Sequence, residues 1–365
     1  MKPFNKVSLF ATLLCVAMSA TSCAAQQPSP EPFRSAVIIA DADPGGFITY
    51  DPGSAQLAGY TSSGLRVWQE KDVAPGEVHC SIKCPDVGFS INNPTESSSA
   101  GSEIIWHTGN SRTVTRFSDP TVNLYWTSGP SNWIASDTHG ITWERNGNRQ
   151  KLRIPTGTQG AQGKISSEGR TLAISTALNG TSTTKWISHT IRLNTGHPET
   201  PKKVHQELFG PIGCLSDRKK IAITLGSHSQ LITIPDGHSL RDQPSFSSDC
   251  SINNTEVISG EYGTGPNGPE QRIRVQHLSG SEKSEMATAY GNGRISIYDG
   301  CGVYVSRGII STLTASSKNE PSHIEAQDAI VTSSGTVFAI TPSGKPRVMQ
   351  IGAAPDSCKI RSEFQ

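Results

Sequence analysis

The feature that most constrains this chain is a strand–turn–strand unit, clearest at residues 328–342. Ile330 and Val331 form a short apolar run, Ser333-Ser334-Gly335 supplies turn chemistry, and residues 337–340 form a second run. Apolar residues on consecutive rather than alternating positions predict strands covered on both faces. The unit recurs in degenerate form, and its turns mark eight places: Asp51-Pro-Gly53, Cys84-Pro-Asp86, Ser128-Gly-Pro130, Ser167-Glu-Gly169, Ser216-Asp-Arg218, Ile252-Asn-Asn254, Asp299-Gly-Cys301 and Ser333-Ser-Gly335. From Gly53 to Gly335 is 282 residues over seven intervals, a mean of about 40, which is the spacing of β-propeller blades. A unit of this kind cannot bury both faces alone, but stacked radially the units bury each other.

Composition agrees with an all-β fold. Only 17% of the 365 residues are charged, and 35 Gly and 23 Pro supply turns. No amphipathic helical stretch of useful length follows the N-terminus. The formal net charge of +1 excludes a sequence-independent nucleic-acid binder, which needs a basic footprint. The basic clusters at 149–153 and at Arg218-Lys219-Lys220 sit beside turn residues and read as solvated turns.

The expected fold is a propeller of eight blades, with seven as the alternative count because the second and seventh units are weakly marked. The eighth unit has one strand, residues 347–351, after its marked pair and then runs out. Residues 36–40 (Ala-Val-Ile-Ile-Ala) are the expected strand that completes it from the other end of the chain, closing the ring and covering an edge.

Lys2 and Lys6 precede a mostly apolar run at 7–20, the pattern of a secretory signal too short to span a membrane. The segment ends Ala20-Thr21-Ser22-Cys23, which resembles the lipobox of bacterial lipoproteins, with Ala20 where that family usually has Leu. The resemblance implies that Cys23 is lipidated and becomes the first residue of the mature chain. Ordinary cleavage near Ala25 and release as a secreted protein is the alternative. Residues 23–35, rich in Pro and Gln, then form a stiff polar tether. The expected organisation is a signal at 1–22, the tether at 23–35, the propeller at 36–355 and a tail at 356–365.

Export leaves six cysteines: Cys80, Cys84, Cys214, Cys250, Cys301 and Cys358. An even number in an oxidising compartment reads as disulfides of open connectivity. Cys214 and Cys250 each precede their turn marker by four residues, so they fall at matching heights on neighbouring units. Cys80 and Cys84 would close a small loop, and Cys301 and Cys358 would pin the C-terminal tail. His79 beside Cys80 and Cys84 permits a metal reading, but three donors without a fourth make a poor zinc signature. No metal and no cofactor is expected.

The most specific local motif is Ser136-Asp137-Thr138-His139-Gly140-Ile141-Thr142-Trp143. It resembles the Asp-box of sialidases and related propellers, matching at Ser136, Gly140, Thr142 and Trp143. The family's Asp falls at Thr138, and the acid stands instead at Asp137. In that family the box is a structural turn between third and fourth strands, so the resemblance speaks for fold and not for activity. Leu152-Arg153-Ile154-Pro155 is similar to a sialidase segment whose Arg grips a sugar carboxylate, but here it follows the box, and a strand-ending Pro explains it. Gly263-Thr-Gly-Pro-Asn-Gly268 has phosphate-loop spacing without a helix to open, and reads as a hairpin loop. The six tryptophans, Trp68, Trp106, Trp126, Trp133, Trp143 and Trp186, could stack on sugar rings, but most of them read as core between units.

The function expected from the sequence is binding: a lipid-anchored extracytoplasmic propeller docking a protein or glycan at the cell envelope. The alternative is a sialidase-like glycoside-processing enzyme, which would need acids and arginines converging in the central funnel at carboxylate spacings of about 5–10 Å.

Overall fold

A computed structural model describes most of residues 36–361, apart from connecting stretches of which 92–100, 179–184, 243–249, 314–319 and 353–358 are the longest. The signal, the tether and Cys358 lie outside the described residues. Every regular element described is a β-strand, and the strands form eight small antiparallel sheets in chain order. Sheet one spans residues 37–70, sheet two 78–116, sheet three 123–153 and sheet four 158–203. Sheets five to eight span 212–242, 250–290, 296–325 and 328–361. Each is a meander of four strands, with one extra pairing in sheet four where Lys202–Lys203 adds to the long third strand. The fold is a β-propeller.

Burial explains why consecutive apolar residues make these strands. The second strand of sheet eight, Thr336–Ile340, is buried at every position, as is the first strand of sheet five, Ile212–Ser216. Fourth strands are the reverse: Ser111–Arg116 and Asn148–Arg153 are largely exposed and polar. First strands pack against one another across most junctions between successive sheets, as strands around a propeller axis do. The apolar core is divided into seams. One cluster joins sheets one and two through Ile48, Leu57, Phe89 and Ile105, and another joins sheets two and three through Trp106, Leu124 and Trp133. Similar seams join three to four, four to five, five to six and seven to eight.

The ring closes between sheets eight and one, though not by the expected route. Val37–Ala42, which contains most of the segment expected to complete the last sheet, is the first strand of sheet one and pairs with Gly46–Asp51. Sheet eight finishes itself with Ile360–Arg361, which pairs with Pro346–Ile351. The sheet therefore runs past residue 355 into the stretch read from sequence as a tail. Closure is made by side chains. Phe47 of sheet one stacks on Phe338 of sheet eight with ring centroids 4.7 Å apart, and Ile38, Ile330 and Ile340 fill in around them. The Ile38 amide donates to Asp328 Oδ2 at 2.7 Å, and Gln327 Nε2 donates to the Ala36 carbonyl at 3.1 Å.

The reason for the misassigned strand is a slip of one hairpin. Seven of the eight turn markers lie between the first and second strands of their sheets, but Asp51-Pro-Gly53 lies between the second and third strands of sheet one. With that marker taken as a first turn like the others, residues 36–40 have no place in sheet one. A two-residue fourth strand in sheet eight carries no periodicity from which to be read.

Candidate functional site

The residues singled out in the sequence are dispersed. Ser136–Trp143 forms the hairpin between the second and third strands of sheet three, Asn132–Asp137 and Gly140–Arg145, and not between third and fourth strands as the Asp-box resemblance implied. Asp137 Oδ1 accepts from the His139 amide at 2.8 Å, and Asp137 Oδ2 meets Lys151 Nζ at 2.6 Å. The carboxylate missing at Thr138 is supplied from outside the motif. Asp119 Oδ2 accepts from both the amide and the hydroxyl of Thr138, and Oδ1 accepts from the Thr121 amide at 3.0 Å. Burial pushes the Asp119 carboxyl up, but these hydrogen bonds and the nearby His139 outweigh it and hold it below its ordinary value. Gly140 is required by space, since a Cβ there would lie 2.1 Å from the Leu152 carbonyl oxygen. Ser136 Oγ meets the Tyr125 hydroxyl at 2.8 Å, and Trp143 is buried in the seam with sheet four.

Arg153 sits exposed at the end of the outer strand of sheet three, remote from the first strands that line the axis. Residues 149–153 form that strand rather than a turn, and two of its cations are ion-paired, Arg149 to Glu144 and Lys151 to Asp137. Gly263 to Gly268 falls in a hairpin, with Gly265 pairing Gly268. Trp68, Trp106, Trp126, Trp133 and Trp143 are buried, and Trp186 packs partly buried against the seam of sheets four and five.

Cys80 and Cys84 are joined, as are Cys214 and Cys250, whose Cα atoms are 5.5 Å apart. Cys301 is also in a disulfide. The first pairing removes the thiolates that a metal reading at His79 would need. His79 keeps 29% of its side chain exposed, but its Nε2 is buried without a hydrogen-bond partner. Burial therefore pushes the ring's pKa down to about 4, against a hydrogen bond at the Leu124 backbone that raises it. The folded state favours the neutral ring, so the associated stability is complete above the unfolded pKa of about 6.5 and is lost as pH falls towards 4. Glu77, with its Oε2 3.9 Å from His79 Nε2, is raised by burial and works in the opposite sense on acidification. A His79→Gln variant is expected to lose roughly 1–3 kcal/mol less stability than the parent between pH 7 and 4. Urea unfolding midpoints across that range check this, and parallel pH profiles would contradict it.

The first strands carry few charges. Among the described residues of the eight, only Asp41, Lys164 and Asp328 are charged, and none is arginine. Asp328 is engaged in the closure described above.

Charge gathers instead in a cleft of about 320 Å³ between sheets four and five. Arg170 precedes the second strand of sheet four, Thr171–Leu178. Thr190, Arg192 and Asn194 come from its third strand, Lys185–Asn194, and Glu199, Thr200 and Lys202 from the segment that follows. Sheet five contributes Asp217 and Lys220 from its first turn, and Ile234 at the floor. The two acids are already engaged: Asp217 Oδ2 accepts from Ser166 Oγ, and Glu199 Oε1 accepts from Asn194 Nδ2. The Lys220 carbonyl accepts from the Ile234 amide at 2.9 Å, which ties the turn to the floor. Among the described residues the four cations of the cleft make no ion pair. Sequence reading placed Lys220 on a solvated turn and missed the cleft, because its residues are drawn from 170 to 234 and meet only across two sheets.

The sheet order, the axial first strands and the side-chain seams define a β-propeller with a grooved, charged junction between two of its sheets. No protein-family model and no characterised protein sequence matches the chain. Solved structures similar to it include BamB from Moraxella catarrhalis, with TM-score 0.53 and 13% identity over 87% of this chain and 96% of that one. Hydrazine synthase of Kuenenia stuttgartiensis has TM-score 0.44 and 10% identity, covering 77% of this chain and 96% of that one. The Pan2 WD40 domain of Neurospora crassa has TM-score 0.40 and 10% identity, covering 72% and 84%. At 13% identity the BamB likeness speaks to fold alone.

Proposed function

We propose that the chain is a lipid-anchored, extracytoplasmic β-propeller that works by binding a protein at the cell envelope. The signal at 1–22, a lipidated Cys23 and the tether at 23–35 would hold the propeller clear of the membrane, with one blade per sheet. Two acyl chains suffice for such anchoring, since each buried methylene contributes about 0.8 kcal/mol. The disulfides Cys80–Cys84 and Cys214–Cys250 fit an oxidising compartment.

The observation that carries binding over catalysis is the sparse charge of the first strands. Glycoside chemistry of the sialidase type needs arginines and paired acids at the axis. Here those strands hold no arginine among the described residues, and Asp328 is spent on closure. A glycan partner is the weaker of the two binding readings, because five of the six tryptophans that would stack on sugar rings are buried and Trp186 packs partly buried against a seam. Cys23→Ala is expected to move the protein from the membrane fraction to the soluble one. Retention of the variant at the membrane would sink the anchor. Purification of the parent from solubilised envelope is expected to bring down one protein in stoichiometric amount, whereas turnover of a fluorogenic glycoside panel would replace binding with catalysis.

A further inference from the structure

We propose that the cleft between sheets four and five is a binding site for a dianionic oxyanion group, a phosphate monoester or a close pair of carboxylates. This deepens the binding reading, because it names what a partner would present to one face of the propeller.

The argument is one of charge and partnership. Arg170, Arg192, Lys202 and Lys220 bring four positive charges to a cleft of about 320 Å³. The carboxylates of Glu199 and Asp217 offset two of these, so the cleft keeps a formal charge of +2. Elsewhere in the described residues the protein pairs many of its cations: Arg112 with Glu70, Arg116 with Glu103, Arg149 with Glu144 and Lys185 with Glu207. In the cleft the acids are turned to Ser166 and Asn194 instead. Four like charges gathered into one concave space repel each other, and a ligand carrying two negative charges removes that cost. The donor set suits an oxyanion, since two guanidinium groups offer planar forks and two ammonium groups add point charges. Thr171 also lines the cleft and carries a hydroxyl that can donate. The walls come from adjacent sheets, so an occupant would also tie sheet four to sheet five.

The test uses the purified full chain at low ionic strength, titrated calorimetrically with inorganic phosphate and, separately, with succinate as the dicarboxylate probe. Saturable binding of at least one probe is expected, with Kd raised about tenfold by Arg192→Gln and again by Lys220→Gln. Lys202→Gln, a change at an exposed side chain, serves as a third variant should either of these fail to fold. Arg116→Gln, on the outer strand of sheet two, should leave Kd unchanged. Preference for phosphate would assign a phosphorylated ligand, and preference for succinate an acidic protein segment. Absence of saturable binding to both probes would overturn the site, as would equal weakening by Arg116→Gln, which marks diffuse charge attraction. Neither failure touches the anchor or the envelope partner, which are read by membrane fractionation and co-purification.

Discussion

Phe47→Ala is expected to destabilise the whole propeller by about 3–5 kcal/mol, the cost of emptying a fully buried aromatic site. Phe47 is fully buried, stacks on Tyr60 at 5.1 Å within its own sheet and on Phe338 at 4.7 Å across the closure. A propeller seam differs from an ordinary core in one respect. The sheets on its two sides are joined through the rest of the ring, so opening this seam turns a closed array into an open one with two bare faces. The exposed faces would be those of sheets one and eight, where Ile38, Ile330, Phe338 and Ile340 now meet. Asp328→Ala strikes the same seam by another mechanism, because it removes the carboxylate that accepts from the buried Ile38 amide. Its expected cost is about 1–3 kcal/mol. Since both changes weaken one closure, the double variant should lose less than the sum. Thermal unfolding gives the totals, and amide hydrogen exchange gives the location. Exchange accelerated first in Val37–Ala42 and Asp328–Val331 is expected, whereas uniform acceleration over all sheets would refute a weak closing seam.

Glu70→Ala is expected to cost about 2–4 kcal/mol, the second large effect. Glu70 lies on the outer strand of sheet one, Arg66–Glu70, with only 13% of its side chain exposed. Its Oε1 meets His107 Nε2 at 2.7 Å and Arg112 Nε at 2.6 Å, both from sheet two. Trp68 of sheet one lies flat on the His107 ring, 4.3 Å between centroids and 6° between planes, and its Nε1 donates to the Pro85 carbonyl at 2.8 Å. The carboxylate is thus the polar end of a seam whose apolar part is the Trp68–His107 stack. Removing it strands a buried imidazole nitrogen, while Arg112, about half exposed, can turn to water. Most of the cost therefore falls on His107. Glu70→Gln keeps an acceptor for that nitrogen and should recover at least half of the loss. Equal destabilisation by Ala and Gln in urea unfolding would show that charge, rather than the hydrogen bond to His107, holds the seam.

Much of the architecture is legible in the sequence. Runs such as 337–340 are apolar at consecutive positions because their strands are covered on both faces, and that pattern is local to each strand. Each of the eight turn markers falls in a different sheet, because a meander needs turn chemistry at short, regular intervals. The matching heights of Cys214 and Cys250 were legible for the same reason, as two equivalent positions in consecutive repeats, and the structure joins them. What failed was the phase of the count. Residues 43–46, Asp-Pro-Gly-Gly, and 51–53, Asp-Pro-Gly, carry nearly the same turn signal, and choosing the second shifted sheet one by a strand.

The candidate site was not legible, and neither was the repair of the degenerate box. Asp119 stands 19 residues before Thr138, in the segment ahead of sheet three, and nothing in its neighbours announces that it will cap a turn. Arg170, Arg192 and Lys220 lie in three separate stretches, each an ordinary exposed cation in its own context. A sequence repeat specifies strands, turns and the faces they must bury, because those follow from spacing along the chain. Which faces meet at the closure, and which cations gather in one cleft, are set by how neighbouring sheets pack. That is a property of the folded ring, so the fold class belonged to the sequence, and the closing seam and the cationic cleft belonged to the tertiary structure.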